Sequence, residues 1–323
     1  MKRFGERVLR PVTSLLDARI RGVARKALAP AAAQAAAETR TAVDTLTAEL
    51  TKMRAELDRT RRELADMRAE GLGPELLLDS AGRGKARRPT RAEWSKLLTE
   101  IQVVTGDEFA RRSATTAYRT LVALEAVGVG RMAGTTANVV GKLATTPLLA
   151  PPRNADVLEI GTLYGLFAAG LLRQLHRRGV DPRLTIVDPL AGDQLQPGHK
   201  TTRDMSGVPV RADVVHANLA LAGPAGARTR VRQGLSTDPV VRADVGDRAY
   251  GVVIVDGDHS FEGVLADLEW AEEIAADGAL VVMDDYGDPY WPQVAEALDK
   301  HLAGTTRMRL LGKVSTSAYL RVG

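Results

Sequence analysis

The chain has 323 residues, of which 45% are hydrophobic and 26% charged, and this composition is ordinary for a soluble protein. Its length allows one sizeable domain and an appendage. The absence of cysteine excludes disulfides, thiolate metal sites and cysteine nucleophiles. No apolar run approaches the roughly 20 residues that span a bilayer, and no secretory signal begins the chain, so a cytoplasmic location is expected.

Positive charge is concentrated at the N-terminus. The formal net charge is +4, yet residues 1–30 hold eight Lys and Arg against two acidic residues. Apolar residues from Phe4 to Leu28 recur at helical intervals, with an interruption at Pro11. Such a basic amphipathic segment can bind the anionic surface at the inner face of a membrane. The alternative for residues 1–28 is a solvated helix that packs on its own protein.

A heptad pattern follows an alanine-rich stretch. Apolar positions alternate steps of three and four from Val43 to Met67, as in a coiled coil, over about 37 Å of helix. We expect a self-associating helix that makes the protein a homo-oligomer, with a lone solvated helix as the alternative. Residues 1–72 are therefore assigned to a basic amphipathic helix and a coiled coil.

The next stretch is predicted to connect this helix to a larger domain. Residues 71–73 and 80–89 are rich in glycine and positive charge, which is typical of a linker. Helices are predicted at 94–104 and 114–127, and a short apolar helix within 128–152. We assign residues 73–112 to a linker and helix, and residues 113–323 to one α/β domain.

Strands and helices alternate from Asp156 onward, which predicts right-handed crossovers and a Rossmann-like, doubly wound, mainly parallel sheet. Residues 308–320 are expected to supply closing edge strands. The predicted strands are 157–160, 184–187, 229–233, 251–255 and 279–283. The predicted helices are 166–178, a segment near 214–222, 261–276 and a segment from 291.

Acidic residues stand where two apolar strands end. Asp256 follows one strand, with His259 close behind, and Asp284 and Asp285 follow the next. Because ligands bind beyond the carboxyl ends of the strands in an open α/β sheet, these side chains are expected to converge. A helix cap or turn is the alternative for Asp284 and Asp285, and a capping contact is the alternative for His259.

The first strand is followed by a glycine-containing turn. Gly161 and Gly165 allow a ligand and a helix to approach closely, and Asp188 at the end of the second strand can bind a ribose. Leu163 breaks the dinucleotide-binding pattern of glycines. A plain tight turn, and a turn-forming Asp188 before Pro189, are the structural alternatives.

Five sequence blocks, taken in their order along the chain, resemble class I S-adenosylmethionine (SAM)-dependent methyltransferases. The nearest likeness is to metal-dependent O-methyltransferases that act on sugars of macrolides and related natural products. The resemblance covers residues 130–288, leaves the N-terminal 90 residues outside, and implies that residues 113–323 form the methyltransferase domain. The blocks are Glu159-x-Gly161-x-x-x-Gly165, Asp188, Gln233-Gly234-Leu235-Ser236, Asp256-Gly257-Asp258-His259 and Asp284-Asp285-Tyr286.

The resemblance also implies a role for each matching residue. Asp188 would hold the ribose of SAM, and His259 would be the general base. Asp256, Asp284 and Asp285 would bind a divalent cation. The other implied cofactor-binding residues are Glu159, Gly161, Thr162, Gly165, Gly234 and Ser236.

Three carboxylates form an oxygen-rich site suited to Mg²⁺ or Mn²⁺. An ordinary histidine has a pKa of about 6.5, whereas an alcohol has a pKa near the water value of about 15.7. Proton transfer from the alcohol to the histidine therefore costs about 12 kcal/mol, and metal coordination of the hydroxyl would reduce that cost. For a phenol, with a pKa of about 10, the same transfer costs about 5 kcal/mol. We therefore expect a hydroxyl of a small molecule as acceptor, chiefly a sugar or glycosylated natural product, with phenols still open.

Two other functions compete with O-methylation. A non-catalytic scaffold would use the coiled coil for assembly and keep the α/β domain as a relic. Nucleic-acid methylation ranks third, because basic residues cluster in the tail and aromatic residues are only 4% of the chain, so no nucleic acid is expected as a partner. The insertion 189–228 is interpreted as a loop over the substrate, with His199, Lys200 and Arg203 as contacts, or as a mobile surface loop.

Overall fold

A computed structural model describes most of the chain, and within the first helix it describes the side chains of 17–23 and 25–62. The chain divides into two units, Met1–Leu72 and Gly73–Gly323. The described residues are 5–70, 87, 89–151, 153–192 and 208–323.

The first unit contains one helix, α1 (Gly5–Glu70), of 66 residues. It continues through Pro11 and Pro30, so the predicted interruption at Pro11 is wrong. A proline costs about 3 kcal/mol inside a helix, and the many strong helix formers in the remainder of α1 outweigh that cost. Every described side chain of α1 is exposed. Among the described residues, no helix is both long and apolar enough to cross a membrane.

Between Arg91 and the sheet the structure describes α2 (Arg91–Thr105), α3 (Ala110–Val127) and α4 (Thr136–Leu149). A capping box between Thr90 and Glu93 starts α2. In α4 the Thr135 hydroxyl accepts a hydrogen bond from the backbone N–H of Asn138, and nearly the whole helix is buried.

The second unit is built on a seven-stranded sheet of order β3-β2-β1-β4-β5-β7-β6. The first five strands in this order are parallel, and β7 pairs antiparallel with both β5 and β6. The predicted α/β class, the mainly parallel sheet and the N-terminal helical extension are confirmed. The strands are β1 (Asp156–Ile160), β2 (Arg183–Asp188), β3 (Arg230–Gln233), β4 (Tyr250–Val255), β5 (Ala275–Met283), β6 (Met308–Val314) and β7 (Ser317–Val322).

Crossover helices cover both faces of the sheet. They are α5 (Leu166–Arg177), α6 (Ala212–Ala220), α7 (Pro224–Ala227), α8 (Pro239–Val245), α9 (Phe261–Ile274) and α10 (Pro292–Ala303). One apolar core lies between the sheet and α2 to α7, and the other lies between the sheet and α8 to α10. The chain leaves β1 toward β2 but returns from β3 to β4, so a crevice opens between the carboxyl ends of β1 and β4.

Arg87 lies in the stretch predicted as a linker, yet its side chain is fully buried. Its guanidinium forms two hydrogen bonds with the carboxylate of Glu125, at 3.1 and 2.7 Å. It also donates to the carbonyl oxygens of Met132 and Gly134. Arg87 therefore neutralises a carboxylate of α3 and ties the chain before α2 to the domain.

We expect the substitution Arg87→Met to lower the free energy of unfolding by about 3 kcal/mol, because it leaves the carboxylate of Glu125 buried without a counter-charge. Urea denaturation measures this loss. The matched control is Arg228→Ala, since Arg228 pairs with Asp181 at the surface, where such a pair contributes at most about 1 kcal/mol. Equal losses in the two variants would contradict the prediction.

Candidate functional site

The candidate site lies where the parallel strands end. The backbone N–H of Asp256 donates to the carbonyl oxygen of Ile160 at 2.9 Å, and that of Asp284 donates to Val255 at 3.0 Å. The carboxyl ends of β1, β4 and β5 are thus held side by side. The expected convergence of these acidic strand ends is present in the structure.

The turn between β1 and α5 packs against the end of β4. Gly161 and Gly165 have φ values of 83° and 75°, which favour glycine. A Cβ atom at Gly161 would lie 2.1 Å from the carbonyl oxygen of Asp256 and 2.7 Å from the Cα atom of Gly257. No side chain fits at position 161, so the turn and the end of β4 are in direct backbone contact.

Asp188, at the end of β2, holds this turn in place. Its Oδ2 atom accepts hydrogen bonds from the backbone N–H groups of Thr162 and Leu163, at 2.7 and 3.2 Å. Its Oδ1 atom accepts one from Leu190 at 2.7 Å. Burial raises the pKa of Asp188, although these backbone donors oppose the shift. A carboxylate has about four acceptor positions, so about one remains for a ligand.

Glu159 is buried within β1. Its Oε2 atom has no hydrogen-bond partner among the described residues. Burial raises the pKa of Glu159 from 4.5 to about 8, while Thr162 and Lys142 oppose this shift in part. The carboxyl group is therefore largely protonated at neutral pH and can donate a hydrogen bond.

The loop after β3 lies beside the end of β2. The backbone N–H of Gly234 donates to the carbonyl oxygen of Asp188 at 3.0 Å. The carbonyl oxygen of Ser236 accepts a hydrogen bond from Arg242 at 2.6 Å. These contacts place Gly234 next to Asp188 and fix the backbone of Ser236.

A buried lysine from α4 lies between two of the predicted metal ligands. The Nζ atom of Lys142 is 3.0 Å from Oδ2 of Asp256 and forms a shorter contact with Oδ2 of Asp284. The Oδ1 atom of Asp284 accepts hydrogen bonds from Asn138 at 2.7 Å and Ser317 at 2.8 Å. Both carboxylate oxygens of Asp284 are thus bound by groups of the protein itself.

The charges of this cluster stabilise one another. Burial alone would lower the pKa of Lys142, but Asp256 and Asp284 outweigh it and raise that pKa. Burial would likewise raise the pKa of Asp284, yet Lys142 lowers it to about 2. Burial and the neighbouring charge of Asp284 raise the pKa of Asp256. The ammonium and the Asp284 carboxylate are therefore both charged near neutral pH and form an ion pair.

His259 is fixed by two contacts. Its ring stacks on Trp291 with centroids 4.5 Å apart. Its Nε2 atom lies 3.1 Å from Oδ2 of Asp285, without the alignment of a hydrogen bond. Asp285 has a φ of 55°, which is uncommon for a residue other than glycine. The helix cap of α9 is Ser260, so His259 does not serve as that cap.

Two carboxylates and one imidazole could hold a metal ion. Asp256, His259 and Asp285 each offer a ligand atom, and these atoms lie within 4.8 Å of one another. This oxygen and nitrogen set suits a divalent cation such as Mn²⁺, and Mg²⁺ if oxygen ligands dominate. Asp284 is outside the set, and it could bind a metal only if Lys142 moved away.

Lys142 and Asn138 were not predicted from the sequence. The detectable signal is a single charge inside the apolar stretch Val139-Val140-Gly141-Lys142-Leu143, because a buried lysine needs a charged partner. The three proposed substrate contacts in the insertion, His199, Lys200 and Arg203, lie outside the described residues.

Residues 158–286 match a family described as a methyltransferase domain. The strand order of the sheet is typical of class I methyltransferases. A comparison with curated proteins finds no match.

Several solved structures are similar to the chain. An O-methyltransferase from Bacillus cereus in complex with SAH shares 16% identity, with 65% of this chain and 91% of that chain covered and a TM-score of 0.43. The O-methyltransferase NovP shares 20%, with 71% and 99% covered and a TM-score of 0.43. TomG from Streptomyces achromogenes, an O-methyltransferase in complex with SAM, shares 18%, with 73% and 99% covered and a TM-score of 0.40. Similarities at this level transfer neither activity nor substrate to this chain.

The raised pKa of Glu159 predicts a pH-dependent stability. Between pH 4.5 and about 8 the folded chain keeps a proton that the unfolded chain loses, so the free energy of unfolding falls as pH rises. The substitution Glu159→Gln removes the titrating carboxyl group, and with it this fall in the free energy of unfolding. We expect the variant to gain stability relative to the parent chain across this window, by up to about 5 kcal/mol.

Urea denaturation from pH 4.5 to 9 measures this difference. The control is Glu108→Gln, which makes the same exchange at an exposed position. A constant difference for Glu159→Gln would contradict the prediction.

Proposed function

We propose that the protein is a SAM-dependent O-methyltransferase that acts on a hydroxyl group of a small molecule, chiefly a sugar or glycosylated natural product. The carrying observation is the backbone contact between Gly161 and Asp256. The contact joins the turn after β1, which resembles a cofactor-binding turn, to the cluster of Asp256, Asp285 and His259, which resembles a catalytic site. Methyl transfer needs such adjacency, because the acceptor oxygen must lie in line with the donor methyl group.

The cofactor half of the site comprises the ends of β1, β2 and β3. SAM supplies an electrophilic methyl group when bound. Asp188 keeps the turn after β1 rigid and retains an acceptor position for a ribose hydroxyl. The buried Glu159 and the backbone of Gly161, Thr162 and Gly165 would bind the methionine end, while Gly234 and Ser236 would border the adenine.

His259 would accept the proton of the substrate hydroxyl. Asp285 lies 3.1 Å from Nε2, where its carboxylate would balance the positive charge of the ring after proton transfer. Neither ring nitrogen has a hydrogen-bond partner in the part of the chain that the structure describes, so the ring keeps a nitrogen that could accept a proton. Stacking on Trp291 keeps the ring oriented.

A divalent cation would be held chiefly by Asp256 and Asp285. Such an ion supplies positive charge that lowers the pKa of a coordinated hydroxyl. If His259 also bound the ion through Nε2, only Nδ1 would remain for proton transfer. Asp284, which the sequence predicts as a ligand, would bind the ion only if Lys142 moved away from it. We therefore propose Asp284 as a conditional metal ligand.

Two properties of the N-terminal region belong to the proposal. The exposed apolar positions of α1 support self-association into a homo-oligomer. The basic residues within 1–28 support peripheral contact with an anionic membrane surface.

The first test separates cofactor binding from catalysis. We expect Asp188→Ala to weaken SAM binding at least about tenfold, because the turn after β1 loses its anchor. We expect His259→Ala to keep SAM binding but to lower turnover by about 10² to 10⁴. Calorimetric titration measures binding, and transfer of a labelled methyl group to a panel of hydroxylated sugars and phenols, with and without chelator, measures turnover.

The controls are Asp181→Ala and His176→Ala at exposed positions, which should change neither quantity. No binding of SAM to the parent chain would reject methyl transfer and favour the scaffold. Binding without turnover on any acceptor of the panel would reject the proposed substrate class.

The second test concerns the competition between Lys142 and a metal ion. The substitution Lys142→Met frees both Asp256 and Asp284 from an ammonium that repels cations. We expect the cofactor-free variant to bind Mn²⁺ about tenfold more tightly than the parent chain, as measured by calorimetry. Lys142→Arg keeps the positive charge and should bind Mn²⁺ as weakly as the parent chain.

The exposed Lys96 provides the matched control, Lys96→Met, which should leave Mn²⁺ affinity unchanged. Weaker Mn²⁺ binding by a folded Lys142→Met variant would show that Lys142 positions the ligands instead of competing for them. Thermal unfolding establishes that each variant is folded.

A further inference from the structure

The middle of α1 exposes a regular apolar stripe. Positions separated alternately by three and four residues lie on one side of a helix, as the a and d positions of a heptad do. In the structure these side chains are about half exposed, although they are among the most apolar of the helix. They are Val43 (54%), Leu46 (59%), Leu50 (52%), Met53 (56%) and Leu57 (51%).

Charges flank this stripe in a strict order. With Val43 at position a, the g positions are occupied by Glu49 and Glu56, and the e positions of the following heptads by Arg54 and Arg61. The sequence continues the order with glutamate at 63 and 70 and arginine at 68. One edge of the stripe is thus acidic, and the other is basic.

This order distinguishes between the two directions in which identical helices can pair. In a parallel, in-register pair, each g position faces the e position five residues later in the partner. Glu49 then faces Arg54 of the second copy, and Glu56 faces Arg61. In an antiparallel pair, g faces g and e faces e, so every flanking contact joins like charges.

We propose that α1 pairs with α1 of a second copy of this chain, in parallel and in register, along residues 43–67. The apolar stripe forms the seam, and the Glu–Arg pairs at its edges set direction and register. This inference rests on the proposed self-association of α1, and it is independent of the proposed methyl transfer.

The lack of cysteine in the chain permits a direct test of direction. The full chain is prepared with Leu46→Cys or Thr60→Cys, two d positions that lie two heptads apart. In a parallel, in-register pair each introduced thiol meets its own copy, with Cα atoms within the roughly 7 Å that a disulfide spans. We expect each variant to form a covalent dimer on mild oxidation.

Ala55→Cys on the outer face of the helix is the matched control and should stay uncrosslinked. In an antiparallel pair over residues 43–67, d positions face a positions, so Thr60 faces Leu50 of the second copy. A cross-link of Thr60→Cys only with Leu50→Cys, when these two variants are mixed, would show an antiparallel pair and overturn the proposal. A parent chain that sediments as a monomer at micromolar concentration, with no cross-link in any variant, would overturn it as well.

The charge order provides a second, independent readout. The double substitution Glu49→Arg with Glu56→Arg places arginine opposite arginine in a parallel pair, and we expect the dimer dissociation constant to rise at least about tenfold. Adding Arg54→Glu with Arg61→Glu restores opposite charges and should restore dimerisation. An antiparallel pair would not be weakened by the first change, because its flanking contacts already join like charges.

Binding of SAM is measured on the same variants to separate the two proposals. Unchanged SAM binding with altered dimerisation is expected, and it shows that the exchanged residues act only in assembly. Intact cross-links in a chain that fails to bind SAM would reject the proposed methyl transfer and leave the pairing of α1 standing.

Discussion

Two carboxylates at the ends of adjacent parallel strands, one buried and one partly exposed, are stabilised by a positive charge that lies between them. Lys142 supplies that charge from α4, a helix outside the strand and crossover pattern. An unpaired buried charge costs several kcal/mol, so the cluster depends on this lysine. The same contact ties the helical layer before the sheet to the sheet edge, and Asn138 and Ser317 complete it.

The ion pair also divides the acidic residues into two groups with different chemistry. Asp284 is bound on both oxygens and kept ionised, so it acts as a fixed part of the structure. Asp256 uses only Oδ2 in its contact with Lys142, and together with Asp285 and His259 it offers ligand atoms that could meet an ion. Three aspartates that look equivalent along the chain are therefore unequal in the fold.

Strand ends and crossover helices could be predicted because alternating apolar periodicity is a local signal, and parallel strands bring their ends together. The convergence of Asp256, Asp284 and His259 followed from that rule. The role of Lys142 could not be predicted, since the contact joins residues 142 positions apart and no local pattern encodes it. The continuity of α1 through Pro11 also escaped prediction, because one unfavourable residue is outweighed by the helix as a whole.

The contact at Gly161 has a consequence for how such a site can diversify. The separation between the turn after β1 and the end of β4 is set by touching backbones, with no side chain in between. Substitutions in the surrounding loops can reshape the surface beside this contact without altering the separation. Under the proposed function, the fold would hold methyl donor and acceptor at a constant separation while acceptor preference changes by ordinary point mutation.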